Sequence, residues 1–150
     1  MALDQHGDDF ELFDFAYQGK PIFVDISAEW CGPCNDFSSF LSGSDANAFG
    51  SSEGWRVFRQ RLNEERFYLI TILMQDSRRQ PSDLATLQRW DGRYPNEHIP
   101  VVSDPGYQMG ASNGVIQPAG IPSGSLLGEE MTWRFVDDTV GSANDILQNW

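Results

Sequence analysis

The stretch "EWCGPC", residues 29 to 34, holds both cysteines of the chain, Cys31 and Cys34. Two thiols at this spacing can form a metal half-site, a structural disulfide or a redox reagent. A structural zinc site needs four Cys or His ligands. Here one cysteine pair is accompanied by only two histidines, His6 and His98, far apart in sequence. These two read as solvated surface residues, and no metal is expected. A disulfide stabilises a fold mainly by closing a long loop of the unfolded chain. A bridge between Cys31 and Cys34 closes a very short one, so a staple is a poor reason for this spacing.

The reagent reading accounts for the placement. Thiol exchange proceeds through the thiolate. The first turn of a helix offers unpaired N–H groups and the positive end of the helix dipole to such an anion. Upstream of the cysteines, "PIFVDIS" carries apolar residues at successive positions and reads as a strand buried on both faces. Downstream, Phe37, Phe40 and Leu41 recur at helical spacing. The cysteines therefore sit where a strand turns into a helix. Pro33 suits a helix start because it has no N–H to leave unpaired, and Gly32 is expected to permit the tight turn. Cys31 is the expected nucleophile, and Cys34, one turn on, the resolving thiol that attacks a mixed disulfide formed at Cys31. Trp30 shields one side. Asp25 lies inside the apolar strand, where burial should raise its pKa and fit it to take the proton of Cys34.

These residues need a domain to hold them. The chain has 150 residues, 40% apolar and 13% aromatic, enough for the core of a single domain over 1–150, with 1–18 as an N-terminal extension. Its formal net charge is −12, from 10 basic and 22 acidic residues, which disfavours nucleic acid and anionic membranes as partners. The longest apolar run, "FYLITILM", has the length of a strand and falls short of the roughly 18 residues of a membrane span. The first ten residues have neither a basic start nor an apolar stretch. The sequence is thus either that of a cytoplasmic protein or one that begins after a removed leader.

Further elements follow from periodicity. The segment "DDFELFDFAYQGKP" is expected to be a short helix or loop with Phe10, Phe13 and Phe15 inward. Residues 42–54 form a loop. Trp55, Phe58 and Leu62 mark a second helix capped by Ser51 or Ser52. "RFYLITILM" is a second buried strand, and Pro81 and Ser82 open a third helix bearing Leu84, Leu87 and Trp90. A segment rich in Gly, Pro and Ser spans 96–124 and is expected to lie over a functional edge. "SLL" and "MTWRFV" form a hairpin through "GEE". "SANDILQNW" closes the chain as a helix with Ala143, Ile146, Leu147 and Trp150 on one face. This order predicts an α/β fold, with a mixed sheet that is parallel first and antiparallel at the end, and helices on both faces.

"FVDISAEWCGPC" resembles the active-site segment of thioredoxin-fold proteins, with a buried strand carrying Asp, then Ala, then Trp-Cys-Gly-Pro-Cys. "QGKPIFVDISAEWCGPC", "ITILMQDSRRQPSDLATLQRW" and "IPVVSDPGYQM" are similar to the redoxin, TlpA-like branch, over residues 19 to 150. The resemblance implies a thioredoxin-like fold and a thiol-disulfide oxidoreductase with no cofactor beyond a Cys31–Cys34 redox disulfide. It implies protein dithiols or disulfides as substrates, an upstream electron donor, a monomeric state and an extracytoplasmic home. It also implies a cis-proline facing the cysteines. "GIPSGSLL" places that proline at Pro122, with Ile121 supplying backbone to the substrate, and Ile99-Pro100 is the competitor. Trp30, Gly32, Pro33, Ile121 and Pro122 would line the substrate groove. Gly-Pro between the cysteines matches thioredoxin and points to a reductant. Asn35 and Asp36 depart from the pattern, since a basic residue commonly follows the motif in thioredoxins. Ser123 replaces the frequent Thr after the proline. Two alternatives stay open: a binding module on this scaffold, and a reductase dedicated to one client such as apocytochrome thiols or a metallochaperone.

Overall fold

The computed structural model of the chain describes residues 2–45, 49, 52–104 and 116–150. Its elements run β1 (Ala2–Leu3), β2 (Asp9–Phe10), a 3-10 turn (Leu12–Phe15), β3 (Ile22–Ser27), α1 (Gly32–Ser42), α2 (Glu53–Asn63), β4 (Tyr68–Leu73), α3 (Leu84–Arg93), β5 (Val101–Ser103), β6 (Ser123–Leu127), β7 (Trp133–Phe135) and α4 (Thr139–Asn149).

Five strands form one mixed sheet in the order β5-β4-β3-β6-β7. β3 pairs in parallel with β4 and antiparallel with β6, so the strand that leads to the cysteines is central. All six of its residues are buried, which explains why it is apolar at successive positions rather than alternating. Phe23, Leu69 and Leu126 project to one face, against Phe37, Phe40 and Leu41 of α1, Phe58 and Leu62 of α2, and Ala143 and Ile146 of α4. Leu73 and Val101 meet Leu87 and Trp90 of α3. Ile22, Val24, Ile26, Ile70 and Ile72 make the other face, covered by Ile116 and by Phe10, Leu12 and Phe15 of the N-terminal segment. Helices thus lie on both faces but unequally, with four α-helices on the first and the 3-10 turn on the second among the described residues.

The first face is an aromatic core. Phe58 stands 5.3 Å from Phe23 and 4.8 Å from Phe67, and Trp55 stands edge-on to Phe58 at 5.3 Å. Each fully buried Phe contributes about 1.5–3 kcal/mol through burial, and each ring pair about 0.5–1.5 kcal/mol more. This core fixes α1 on the sheet, and hence the cysteines at its start.

Several expectations need correction. Phe13 is 71% exposed, because the tight 3-10 turn directs only Leu12 and Phe15 at the sheet. The N-terminal segment is tied to the sheet edge: β1 pairs with β2, Asp4 bridges Val102, and Leu3 N–H donates to Ser103 Oγ at 3.0 Å. The third helix opens at Asp83, whose carboxylate accepts the Thr86 N–H at 2.8 Å. Pro81 instead bridges Gln75, and the Ser82 hydroxyl donates to the Leu73 carbonyl. Asp138 caps the last helix through Gly141 N–H, so it starts before Ser142, at Thr139. Ser52 caps α2, and Ser51 lies outside the described residues. The segment 96–124 contains the edge strand β5, which is too short to show alternation; residues 105–115 lie outside the described residues. His98 is half-buried, with its ring nitrogens 3.7 Å from Glu65 and 3.8 Å from Glu97. No helix among the described residues is long and apolar enough to cross a membrane.

Candidate active site

Cys31 is the N-cap of α1, in extended conformation, with Gly32 and Pro33 in the first turn and Gly43 ending the helix at φ 76°. That left-handed conformation is one that glycine adopts without penalty. Cys31 and Cys34 are joined by a disulfide, with Cα atoms 5.2 Å apart. The Cys34 N–H donates to Cys31 Sγ at 3.2 Å, so the sulfur takes the place of the oxygen in an ordinary Ser or Asp cap. Gly32 is not in the left-handed region, and a Cβ there would meet nothing within 4 Å. Gly32 is thus not held to glycine by its backbone, and its missing side chain leaves open space there.

Cys34 is wholly buried, and Cys31 is 3% exposed. Only Cys31 offers a line of approach, and that line is narrow. Sγ of Cys31 lies 3.5 Å from the carbonyl oxygen of Ile121. A disulfide sulfur has no proton to donate, so this is a contact; a reduced thiol could donate along the same line. The Ile121–Pro122 peptide bond is cis. Ile121 also packs at the edge of the cluster that holds Cys31 and Cys34. Trp30 remains 37% exposed, with its indole N–H donated to Gln75 Oε1 at 2.9 Å.

Asp25 is buried in β3, on the same face as Phe23 by strand alternation. Phe23 packs near Phe37 at 6.5 Å between ring centroids. Asp25 lies one pleat further along β3, on the face that α1 covers. Its Oδ2 accepts from the hydroxyls of Ser27 at 2.7 Å and Thr71 at 3.4 Å, while Oδ1 has no partner among the described residues. Burial pushes its pKa up to about 7 against the pull of these two hydroxyls.

Three solved structures share this architecture. The exposed lipoprotein thioredoxin Etrx1 of Streptococcus pneumoniae aligns with 97% of this chain and 93% of its own, at 18% identity and TM-score 0.61. A secreted thiol-disulfide isomerase of Corynebacterium glutamicum aligns over 98% and 78%, at 17% identity and TM-score 0.63. The dsbF protein of Mycobacterium tuberculosis aligns over 97% and 87%, at 16% identity and TM-score 0.59. The chain has a thioredoxin-like fold. No family model and no curated protein matches its sequence.

In this thioredoxin-like chain, two residues hold the cysteine turn: Glu29, which sequence reasoning passed over, and Asn35, which it noted only as a departure from the thioredoxin pattern. Glu29 is buried, and its carboxylate receives Nε and a terminal amine of Arg89, both at 3.2 Å, and the Ser77 N–H at 2.9 Å. The Arg89 guanidinium holds the Glu29 carboxyl below the usual carboxylate range, with the Ser77 amide adding to it. Asn35 donates from Nδ2 to the carbonyls of Cys31 at 2.6 Å and Glu29 at 3.1 Å, and accepts the Tyr94 hydroxyl at 2.7 Å. Asn35 is thus the tie between the cysteine turn and the end of α3. A carboxylate placed directly before Trp30 was the only sequence signal available for Glu29, and its partners lie 48 and 60 residues away.

Proposed function

We propose that this protein is a thiol-disulfide oxidoreductase that reduces disulfides of client proteins. The observation that carries the reading is the Cys34 N–H directed at Cys31 Sγ at the start of α1. A thiolate formed at Cys31 keeps that donor and the positive end of the helix. In the reduced protein the Cys31 thiolate attacks one sulfur of a client disulfide and displaces the other as a thiolate, which takes a proton from solvent. Cys34 then gives its proton to Asp25 and attacks Cys31 Sγ. The second client thiolate leaves, and the Cys31–Cys34 disulfide forms. Two electrons have passed to the client, and an upstream dithiol donor restores the pair. Asp25, held half-ionised near neutrality by burial, suits the proton transfer.

Trp30, the open space at Gly32, Pro33, and the Ile121–Pro122 backbone form the groove into which the client segment docks. The Gly-Pro pair matches thioredoxin, whose potential lies at about −270 mV, and so supports a reductant. The small exposure of Cys31 favours a second form of the same reading, a reductase dedicated to one client that fits this narrow groove. Two proteins that share the fold are described as secreted or exposed, which supports an extracytoplasmic site of action. Turnover of insulin disulfides with dithiothreitol tests the general form. Covalent capture of a single client by Cys34→Ser, without insulin turnover by the wild-type protein, selects the dedicated one. Failure of both removes thiol exchange as the function.

A further inference from the structure

Beside Cys31, residues 75–80 make a short turn fastened to the cysteine turn at three points. Glu29 N–H donates to the Gln75 carbonyl, Ser77 N–H to Glu29 Oε2, and the Trp30 indole to Gln75 Oε1, each at 2.9 Å. Asp76 closes the turn from within, its Oδ1 accepting the N–H groups of Arg78 and Gln80, both at 2.8 Å. Arg79 N–H donates to the Asp76 carbonyl at 3.1 Å, and Arg79 stands at φ 64°, a left-handed conformation uncommon for a residue with a side chain. The outcome is a guanidinium 4.0 Å over the ring of Trp30.

Among the other arginines, Arg56, Arg89 and Arg134 are paired with carboxylates, Arg59 and Arg61 with backbone carbonyls, and Arg93 with Asn35; what sets Arg79 apart is its place over Trp30, beside the nucleophile. Arg79 is exposed and its guanidinium has no hydrogen-bond acceptor among the described residues. The chain around it carries a net charge of −12. An unpaired fork of donors, fixed on the aromatic neighbour of the nucleophile in an otherwise acidic protein, is arranged to receive an anion from outside.

We propose that Arg79 is a specificity-determining residue of the thiol-exchange site, selecting client segments that carry an Asp or Glu carboxylate beside the reactive cysteine. This rests on the thiol-exchange reading above. The planar guanidinium pairs with a carboxylate through two parallel hydrogen bonds. Stacking on Trp30 removes the freedom that Arg79 would otherwise lose on binding. The contact is local, so it opposes the repulsion of acidic clients by the whole molecule only at the groove.

The test uses three disulfide-bridged peptides identical except for Glu, Gln or Lys next to the attacked cysteine, with kcat/KM measured at low and high salt. The wild-type protein is expected to prefer Glu to Gln by about three- to fivefold and Lys least, mainly through KM, with the spread narrowing in salt. Arg79→Asn, which tolerates the left-handed backbone, brings the Glu peptide down to the Gln peptide. Arg79→Glu inverts the order, an outcome that misfolding cannot produce. Equal rates for all three peptides with the wild-type protein, or an order unchanged in Arg79→Glu, overturn the inference alone. Turnover of none of them by the wild-type protein overturns this inference, and, when Cys34→Ser also captures no client, the thiol-exchange reading with it.

Discussion

The Cys34 amide donates to the Cys31 sulfur at 3.2 Å, from within the first turn of α1. This single geometry sets apart two residues that are chemically identical. Cys31 has the donor, the helix end and the narrow opening; Cys34 is sealed beneath it. Cys34→Ser is therefore expected to accumulate mixed disulfides with client proteins through Cys31, and Cys31→Ser to accumulate none. Non-reducing gels followed by mass spectrometry read the outcome, and equal trapping by the two variants would reverse the assignment.

Asp25 gives a pH dependence of uncommon sign. Burial raises its pKa in the folded protein from 3.8 to about 7. Between those values the unfolded chain releases a proton that the folded chain keeps. Stability from this group is present below pH 3.8 and is lost as pH rises through about 7, amounting to about 4 kcal/mol over the window. Asp25→Asn should remove this slope and make the protein more stable at pH 8. The same change should slow the Cys34 attack by about 10²-fold, the lower range for a lost proton acceptor. Denaturant titrations at pH 5 and pH 8, together with single-turnover kinetics, check both halves. Parallel stability profiles for variant and wild type would contradict the first.

The buried Glu29 carboxylate behaves in the opposite way. Arg89 holds its pKa down, so its contribution is present at neutral pH and fades as acid protonates it below the usual carboxylate range. Half of Arg89 is in solvent, which limits the ion pair itself. Removing the acceptor of the Ser77 amide and the guanidinium is expected to cost about 1–3 kcal/mol in Glu29→Ala. The 75–80 turn should loosen with it, visible as faster hydrogen exchange at Ser77. Unchanged exchange there would show that Glu29 does not hold the turn.

Much of this arrangement is legible in sequence, for local reasons. The strand–turn–helix around the cysteines shows itself because β3 is covered on both faces and α1 buries Phe37, Phe40 and Leu41 on one. The hairpin of β6 and β7 is likewise set by local pattern. Glu29 and Asn35 are not legible, since their importance comes from Arg89, Ser77 and Tyr94, brought near only by the fold. Phe13 misleads because hydrophobicity alone does not say which way a 3-10 turn points it. β5, three residues long, is too short to display a period, and only the resemblance of "IPVVSDPGYQM" to a strand and turn points to it.

Two glycines test the packing account from opposite sides. A Cβ at Gly124 on β6 would overlap the ring of Phe23 on β3 and approach the Thr139 backbone at 3.1 Å, whereas one at Gly32 meets open space. Gly124→Ala is expected to lose about 1–3 kcal/mol by overpacking. Gly32→Ala should leave stability within about 0.5 kcal/mol of the wild type, while narrowing the approach to Cys31 and raising KM. Thermal melts of both variants distinguish them, and comparable losses would mean that Gly32 has a backbone role the geometry does not show.

The most direct measurement is the pH dependence of alkylation of the reduced protein, with each modified cysteine assigned by mass spectrometry. The helix start and the Cys34 amide predict that Cys31 reacts first and with an apparent pKa well below the ordinary thiol value of about 8.5, Cys34 remaining protected. Alkylation of Cys34 first, or a Cys31 that titrates at or above the ordinary value, would contradict a sulfur anion stabilised at the start of α1.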